Sequence, residues 1–159
     1  TWASTITSPQ VDVQPDSRSG RGDGDVEQPR EIAGDAVQVP ELGLVGSPLP
    51  SSPPAIEDAL AAGLIPVVAP LGVGPLNINA DEAAAAMAVG LGAERLLFIT
   101  DVPGLLLGGA VAASIRVGEA ERLLDAGALA GGIVPKLRAA VGARRQGVDA
   151  TIGATAVLA

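Results

Sequence analysis

IPVVAPLGVGPLNINADEAAAAMAVGLGAERLLFITDVPG, residues 65–104, carries strand, glycine-loop, helix, strand and turn signals in that order. Apolar runs at 65–69 and 96–100 flank a helical run at 81–91, the pattern of a βαβ unit with a parallel sheet. Polar residues gather where the first run gives way to the helix, at Asn77, Asn79 and Asp81, and where the second run ends, at Thr100 and Asp101. Ligands of open α/β sheets bind at the carboxyl ends of the strands. The same stretch therefore locates the expected site.

The whole chain has 159 residues and 48% hydrophobic content, the size of one domain with a real core. Its only aromatics are Trp2 and Phe98, so packing has to rest on Ala, Val, Leu and Ile. There is no cysteine, which excludes disulfides and thiolate zinc sites, and no histidine, which excludes Ser-His-Asp and Cys-His machinery. The remaining inventory of carboxylate, Lys, Arg, hydroxyl, amide and backbone N–H suits phosphoryl transfer. That chemistry needs positioning and charge neutralisation more than a proton shuttle.

Charge is uneven: residues 1–60 hold ten acids and three arginines, whereas 61–159 hold eight acids and seven bases. No basic patch tracks a nucleic-acid backbone, so nucleic acid is not an expected partner. The apolar runs are broken by Pro66, Pro70, Glu94–Arg95 and Pro103, well short of the roughly 20 residues of a membrane span. With no basic-then-apolar start, the expected location is the cytoplasm.

Residues 1–40, rich in Asp, Ser, Gly, Pro, Gln and Arg, read as a disordered acidic leader, and 41–159 as the nucleotide-binding region. The Arg-Gly-Asp triplet at 21–23 lies in that low-complexity run and is too short to indicate adhesion. Beyond it come an apolar run at 42–45, a Pro/Ser turn at 47–54, and a helix at 54–62 with Ser52 as cap and Gly63 as stop. Gly72 and Gly74 follow the 65–69 run as candidates for a phosphate loop, since glycine lets backbone N–H groups approach an anion. The pattern fits neither a Rossmann nor a Walker fingerprint.

Asn79 is placed to cap the helix 80–91, with Glu82 three residues on as in a capping box. Asp81 gains from the same helix dipole. Capping does not explain Asn77, whose amide could hold a substrate carboxylate. Thr100–Asp101 before Val-Pro-Gly is either a plain turn with an Asx hydrogen bond or an acid that meets a ribose, a metal or a phosphate-binding lysine.

Downstream, an apolar passage runs to about 115, followed by a helix at 119–126, a loop at 127–132, a helix at 133–146 and a last strand at 149–152. Lys136 is the single lysine against nine arginines, in the first turn after Gly131–Gly132. An ammonium is a compact point charge that can follow a transferring phosphoryl group better than a planar guanidinium.

Taken together, LGLVG (42–46), AAGLIPVVAPLGVG (61–74), NINADEAAAAMAVGLGAERLLFITDVPGLL (77–106) and EAERLLDAGALAGGIVPKLRAAV (119–141) resemble the second half of an acetylglutamate kinase, of the amino-acid kinase family, over residues 41–153. The resemblance implies a three-layer α/β/α sandwich with a mostly parallel central sheet, lacking the amino-terminal part of the family fold. It implies ATP with Mg2+, transfer of the γ-phosphoryl to the side-chain carboxylate of N-acetylglutamate in arginine synthesis, and a homo-oligomer. By the same resemblance Asn77 holds the substrate, Asp81 orders the catalytic lysines, Thr100, Asp101 and Gly132 contact the nucleotide, and Lys136 stabilises the transferring phosphoryl. A carrier-protein-linked aminoadipate or glutamate kinase is the nearest alternative within the family.

The chain also departs from the family pattern. The family's early lysine, its glycine-rich substrate loop and a later substrate arginine are not recognisable, and residues 1–40 contain no lysine. GRGDGD (20–25) is at best a degenerate glycine turn, Pro75–Leu76 is a short link, and TIGATAVLA (151–159) reads as lacking the family's final strand. The expectation is a kinase with impaired turnover, or else a non-catalytic ATP-binding or partner-binding remnant.

Overall fold

The computed structural model describes residues 36–73 and 76–159. The leader expected at 1–40 therefore lies outside the described residues except for its last five, and Gly74 lies outside them too. The elements in chain order are β1 (Ala36–Gln38), a 3-10 turn (Pro40–Leu42), β2 (Val45–Pro48), α1 (Pro54–Ala61), β3 (Leu71–Gly72), β4 (Leu76–Ile78), α2 (Ala80–Gly90) and β5 (Arg95–Phe98). There follow β6 (Leu106–Leu107), β7 (Ala110–Val111), β8 (Ser114–Arg116), α3 (Val117–Asp125), α4 (Ile133–Arg145), β9 (Asp149–Ile152) and β10 (Thr155–Leu158).

This is the α/β fold the sequence implies. The larger sheet has the order β5-β9-β10-β8, with β5 parallel to β9 and β8 parallel to β10, while β9 and β10 form an antiparallel hairpin. A smaller mixed sheet has the order β1-β2-β4-β3, and β6 pairs with β7 alone. β5 and β9 share one burial alternation, exposed then buried, and their inward residues Leu96, Phe98, Ala150 and Ile152 are at most 2% exposed. α2 and α4 pack on each other and on these strands through Ala85, Ala88, Leu137, Ala140 and Ala143. Alanine at these positions lets helix backbones come close, which is how a core whose one buried aromatic among the described residues is Phe98 packs its interior.

Helix termini follow the local chemistry. The Asn79 side-chain oxygen accepts from the N–H groups of Asp81 (2.9 Å) and Glu82 (3.2 Å), so it caps α2 as its position predicts. Asn79→Ala should cost about 1 kcal/mol, read as a lower midpoint in urea unfolding with an unchanged slope. Ser52 does not cap α1. Pro53 is the cap residue there, and the Ser52 hydroxyl bonds the Glu57 carboxylate. Gly63, at φ +73°, closes α1 as expected.

Three expectations are corrected. The run 65–69 is not a strand: Pro66 and Pro70 lack the donors a ladder needs, and Val67 is 94% exposed. Strand pairing starts later, in the β3–β4 hairpin, and β4 joins β2 in the smaller sheet, so β4 and β5 are not neighbours. The second run is strand over Arg95–Phe98 and has left the sheet by Thr100. Finally, the chain end forms β10, whose alternating burial inserts Thr155 and Val157 into the core between β9 and β8.

Candidate active site

Short links decide where the polar residues go. α2 is followed after four residues by β5, and α4 after three by β9, so each helix runs back over the strand it precedes. Both helix N-termini consequently sit at the carboxyl edge of the parallel pair β5–β9. In α/β sheets this is the ligand edge, and helix N-termini there present N–H groups and positive dipole ends.

The first turns of the two helices meet in an ion pair. Lys136 Nζ donates to Asp81 Oδ1 at 2.9 Å and to Oδ2 at 3.2 Å. The side chains are 17% and 9% exposed, so the contact is sheltered from solvent on most sides. An ammonium has three donors and Asp81 takes two at most, so the geometry fixes the cation and keeps capacity for an anion. The chain's single lysine and its one buried carboxylate among the described residues are thus brought together from 55 positions apart.

The other candidates distribute around this pair. Asn77 lies in β4 with its N–H donating to Leu44 O (2.8 Å), and its side chain is on the exposed face between Val45 and Leu71. It stands three residues before α2 begins, at the approach to the Asp81 turn. Thr100 and Asp101 follow β5: Thr100 Oγ1 donates to Asp101 Oδ1 (3.3 Å) and accepts from Val102 N–H (3.5 Å). The turn is thus hydroxyl-centred, with Asp101 exposed at the ligand edge. Gly132 is the N-cap of α4, exposed, with open space where a side chain would be.

Gly72 has a packing explanation in place of the expected phosphate loop. It is buried in β3, and a Cβ there would stand 2.9 Å from both Ala36 Cβ and Ile78 Cδ1. Among the described residues no group of three or more His, Cys, Asp or Glu gathers. No described helix is long and apolar enough to cross a membrane. Sequence reasoning missed Thr155, a fully buried threonine behind the Thr100–Asp101 loop. The only available signal was a hydroxyl in an alternating apolar run.

Residues 5–153 match the Amino acid kinase family. The chain is 48% identical over 117 residues to the acetylglutamate kinase of Rubrobacter xylanophilus, covering 72% of this chain and 46% of that protein. It is 44% identical over 113 residues to the acetylglutamate kinase of Roseiflexus sp., covering 69% and 43%. A crystal structure from Streptococcus mutans, smu.665, superposes with a TM-score of 0.75 at 30% identity, covering 82% of this chain and 59% of that one. The chain spans less than half the length of the curated relatives it matches. With a family match that includes both helices of the ion pair and both strands beneath them, the chain belongs to the amino acid kinase family.

Proposed function

We propose that this chain carries the nucleotide-side half of a carboxylate kinase site, of acetylglutamate kinase type. The observation that carries the reading is the Lys136–Asp81 pair, a fixed cation between two helix N-termini at the ligand edge. When bound, ATP with Mg2+ supplies the γ-phosphoryl and part of the neutralising charge. Lys136 holds positive charge where negative charge develops on the transferring group, and Asp81 keeps that ammonium from swinging into solvent. The backbone N–H groups at Gly132 and the start of α4 face the same edge and suit phosphate oxygens. Thr100 and Asp101 suit the nucleotide, and Asn77 suits the N-acetylglutamate carboxylate whose side-chain acid accepts the phosphoryl.

The reading places arginine synthesis, a cytoplasmic setting and a homo-oligomer with the relatives' activity. For these residues by themselves the reading carries impaired turnover as its expectation, which acyl phosphate formation decides. A non-catalytic ATP-binding role is the second reading, favoured by the absence of any lysine but Lys136. A thermal-shift titration with MgATP tests the nucleotide half. At a hundredfold excess over Kd a ligand adds about 2.7 kcal/mol, a Tm rise of roughly 5–10 °C for a chain this size. A flat titration removes the proposal. Hydroxylamine trapping of acyl phosphate, with ATP and N-acetylglutamate present, separates the catalytic reading from the binding one.

A further inference from the structure

The turn between β9 and β10 grips the loop after β5 at three successive residues. Gly153 N–H donates to Phe98 O (3.0 Å), Ala154 N–H donates to Pro103 O (2.9 Å), and Thr155 Oγ1 accepts from Leu105 N–H (2.9 Å). The same Thr155 hydroxyl donates to Ala112 O at 2.6 Å. Leu105 and Ala112 flank the β6–β7 hairpin at its base and are joined by a bond from Ala112 N–H to Leu105 O (2.9 Å). One buried hydroxyl therefore ties together both ends of the β6–β7 hairpin, which lies within the excursion that leaves the sheet at Phe98 and returns at β8.

Its surroundings leave little slack. Thr155 is 0% exposed, a Cβ on Gly104 would stand 2.6 Å from its Oγ1, and a Cβ on Gly153 would stand 2.6 Å from Pro103 O. Gly153 also needs φ +53°, where a side chain is strained. A buried threonine facing only apolar neighbours would be replaceable by valine. Here the hydroxyl both accepts and donates, and both partners are backbone groups: Leu105 N–H at the end of the 99–105 loop and Ala112 O just after β7.

The geometry points to Thr155 as a positioning residue for the 99–105 loop, fixing the height at which Thr100 and Asp101 stand above the carboxyl edge of β5. The part of this inference that concerns nucleotide affinity rests on the function proposed above; the part that concerns the loop does not. Thr155→Val keeps shape and removes the hydroxyl, leaving a buried backbone N–H at Leu105 and a part-buried C=O at Ala112 without that partner. Thr155→Ser restores the hydroxyl and serves as the rescue variant.

Two readouts test it on the full chain. In amide hydrogen exchange, Thr155→Val should raise exchange across 99–112 by about tenfold or more relative to α4 and β9, and Thr155→Ser should stay near the parent. In MgATP titration, Thr155→Val should weaken the apparent Kd by about tenfold, again with recovery in Thr155→Ser. Uniformly faster exchange over the whole chain with unchanged Kd would make Thr155 an ordinary core residue and overturn the inference. If the parent itself gives no MgATP response, the nucleotide proposal fails, and the exchange pattern alone decides for or against the positioning role.

Discussion

Gly90→Ala should lower the thermal midpoint of this protein, although helix propensity alone says the reverse. In an open helical position alanine is favoured over glycine by about 1 kcal/mol. Gly90 ends α2, however, and a Cβ there would stand 2.0 Å from Ser51 O and 2.4 Å from Ser51 N. The obstacle is backbone, so no rotamer change relieves it, and the segment that feeds α1 has to move off α2. Inserting a methyl into such a contact costs typically about 1–3 kcal/mol and occasionally more, and a contact this close belongs at the upper end. A net loss near 2 kcal/mol corresponds to a Tm drop of roughly 4–8 °C. Gly142, inside α4 with nothing within 4 Å of its Cβ position, is the internal control: Gly142→Ala should raise the midpoint. If both variants raise it, Ser51 does not lie on Gly90.

That pair of glycines also marks how far the sequence could be read. Helices declare themselves through local chemistry. Asn79 before an alanine-rich run gives α2 its start, and the observed Ala80–Gly90 differs from the expected 80–91 by one residue. α4 is likewise observed at Ile133–Arg145 against an expected 133–146. Nothing in the sequence distinguishes Gly90 from Gly142, because what makes one indispensable is the loop at Ser51, far from it along the chain.

Strands were less legible for a related reason. The run at 65–69 has β-rich composition, but its prolines decide against a ladder, and of the short strands that replace it β4 is held by its register with β2 and β3 by its register with β4, not by any run of their own. β10 reads as a chain end until its pairing with β8 and β9 is known. The site was half legible. An unusual residue count singled out Lys136, and the dipole position singled out Asp81, but only the antiparallel run of α2 over β5 and α4 over β9 puts their first turns together. Gly72 illustrates the converse: a glycine in a loop-like string suggests phosphate, and the structure gives it a neighbour to accommodate.

Lys136→Met should remove the MgATP-induced stabilisation and, where acyl phosphate formation is measurable, lower its rate by about 10²–10³-fold, the loss typical of one charge-stabilising donor. Methionine keeps the unbranched stem that packs beside α2, so the change isolates the charge. Stability should also fall, since Asp81 loses the Lys136 ammonium in a sheltered position. An exposed pair contributes up to about 1 kcal/mol and breaking a fully buried one costs about 3–5, so a pair at 17% and 9% exposure belongs between these limits. The stability loss and the functional loss separate in the double variant. Asp81→Asn with Lys136→Met removes both charges and should recover much of the single variant's stability, because the sheltered carboxylate that faced the ammonium is removed along with it. It should not recover the nucleotide response, because no ammonium is present. Asp81→Asn alone keeps the ammonium and removes its anchor, so it should retain MgATP binding with a smaller Tm rise and a reduced rate. A double variant that regains both stability and the MgATP shift would reduce the pair to a structural tie between α2 and α4, and would place the phosphate-binding charge elsewhere in the chain.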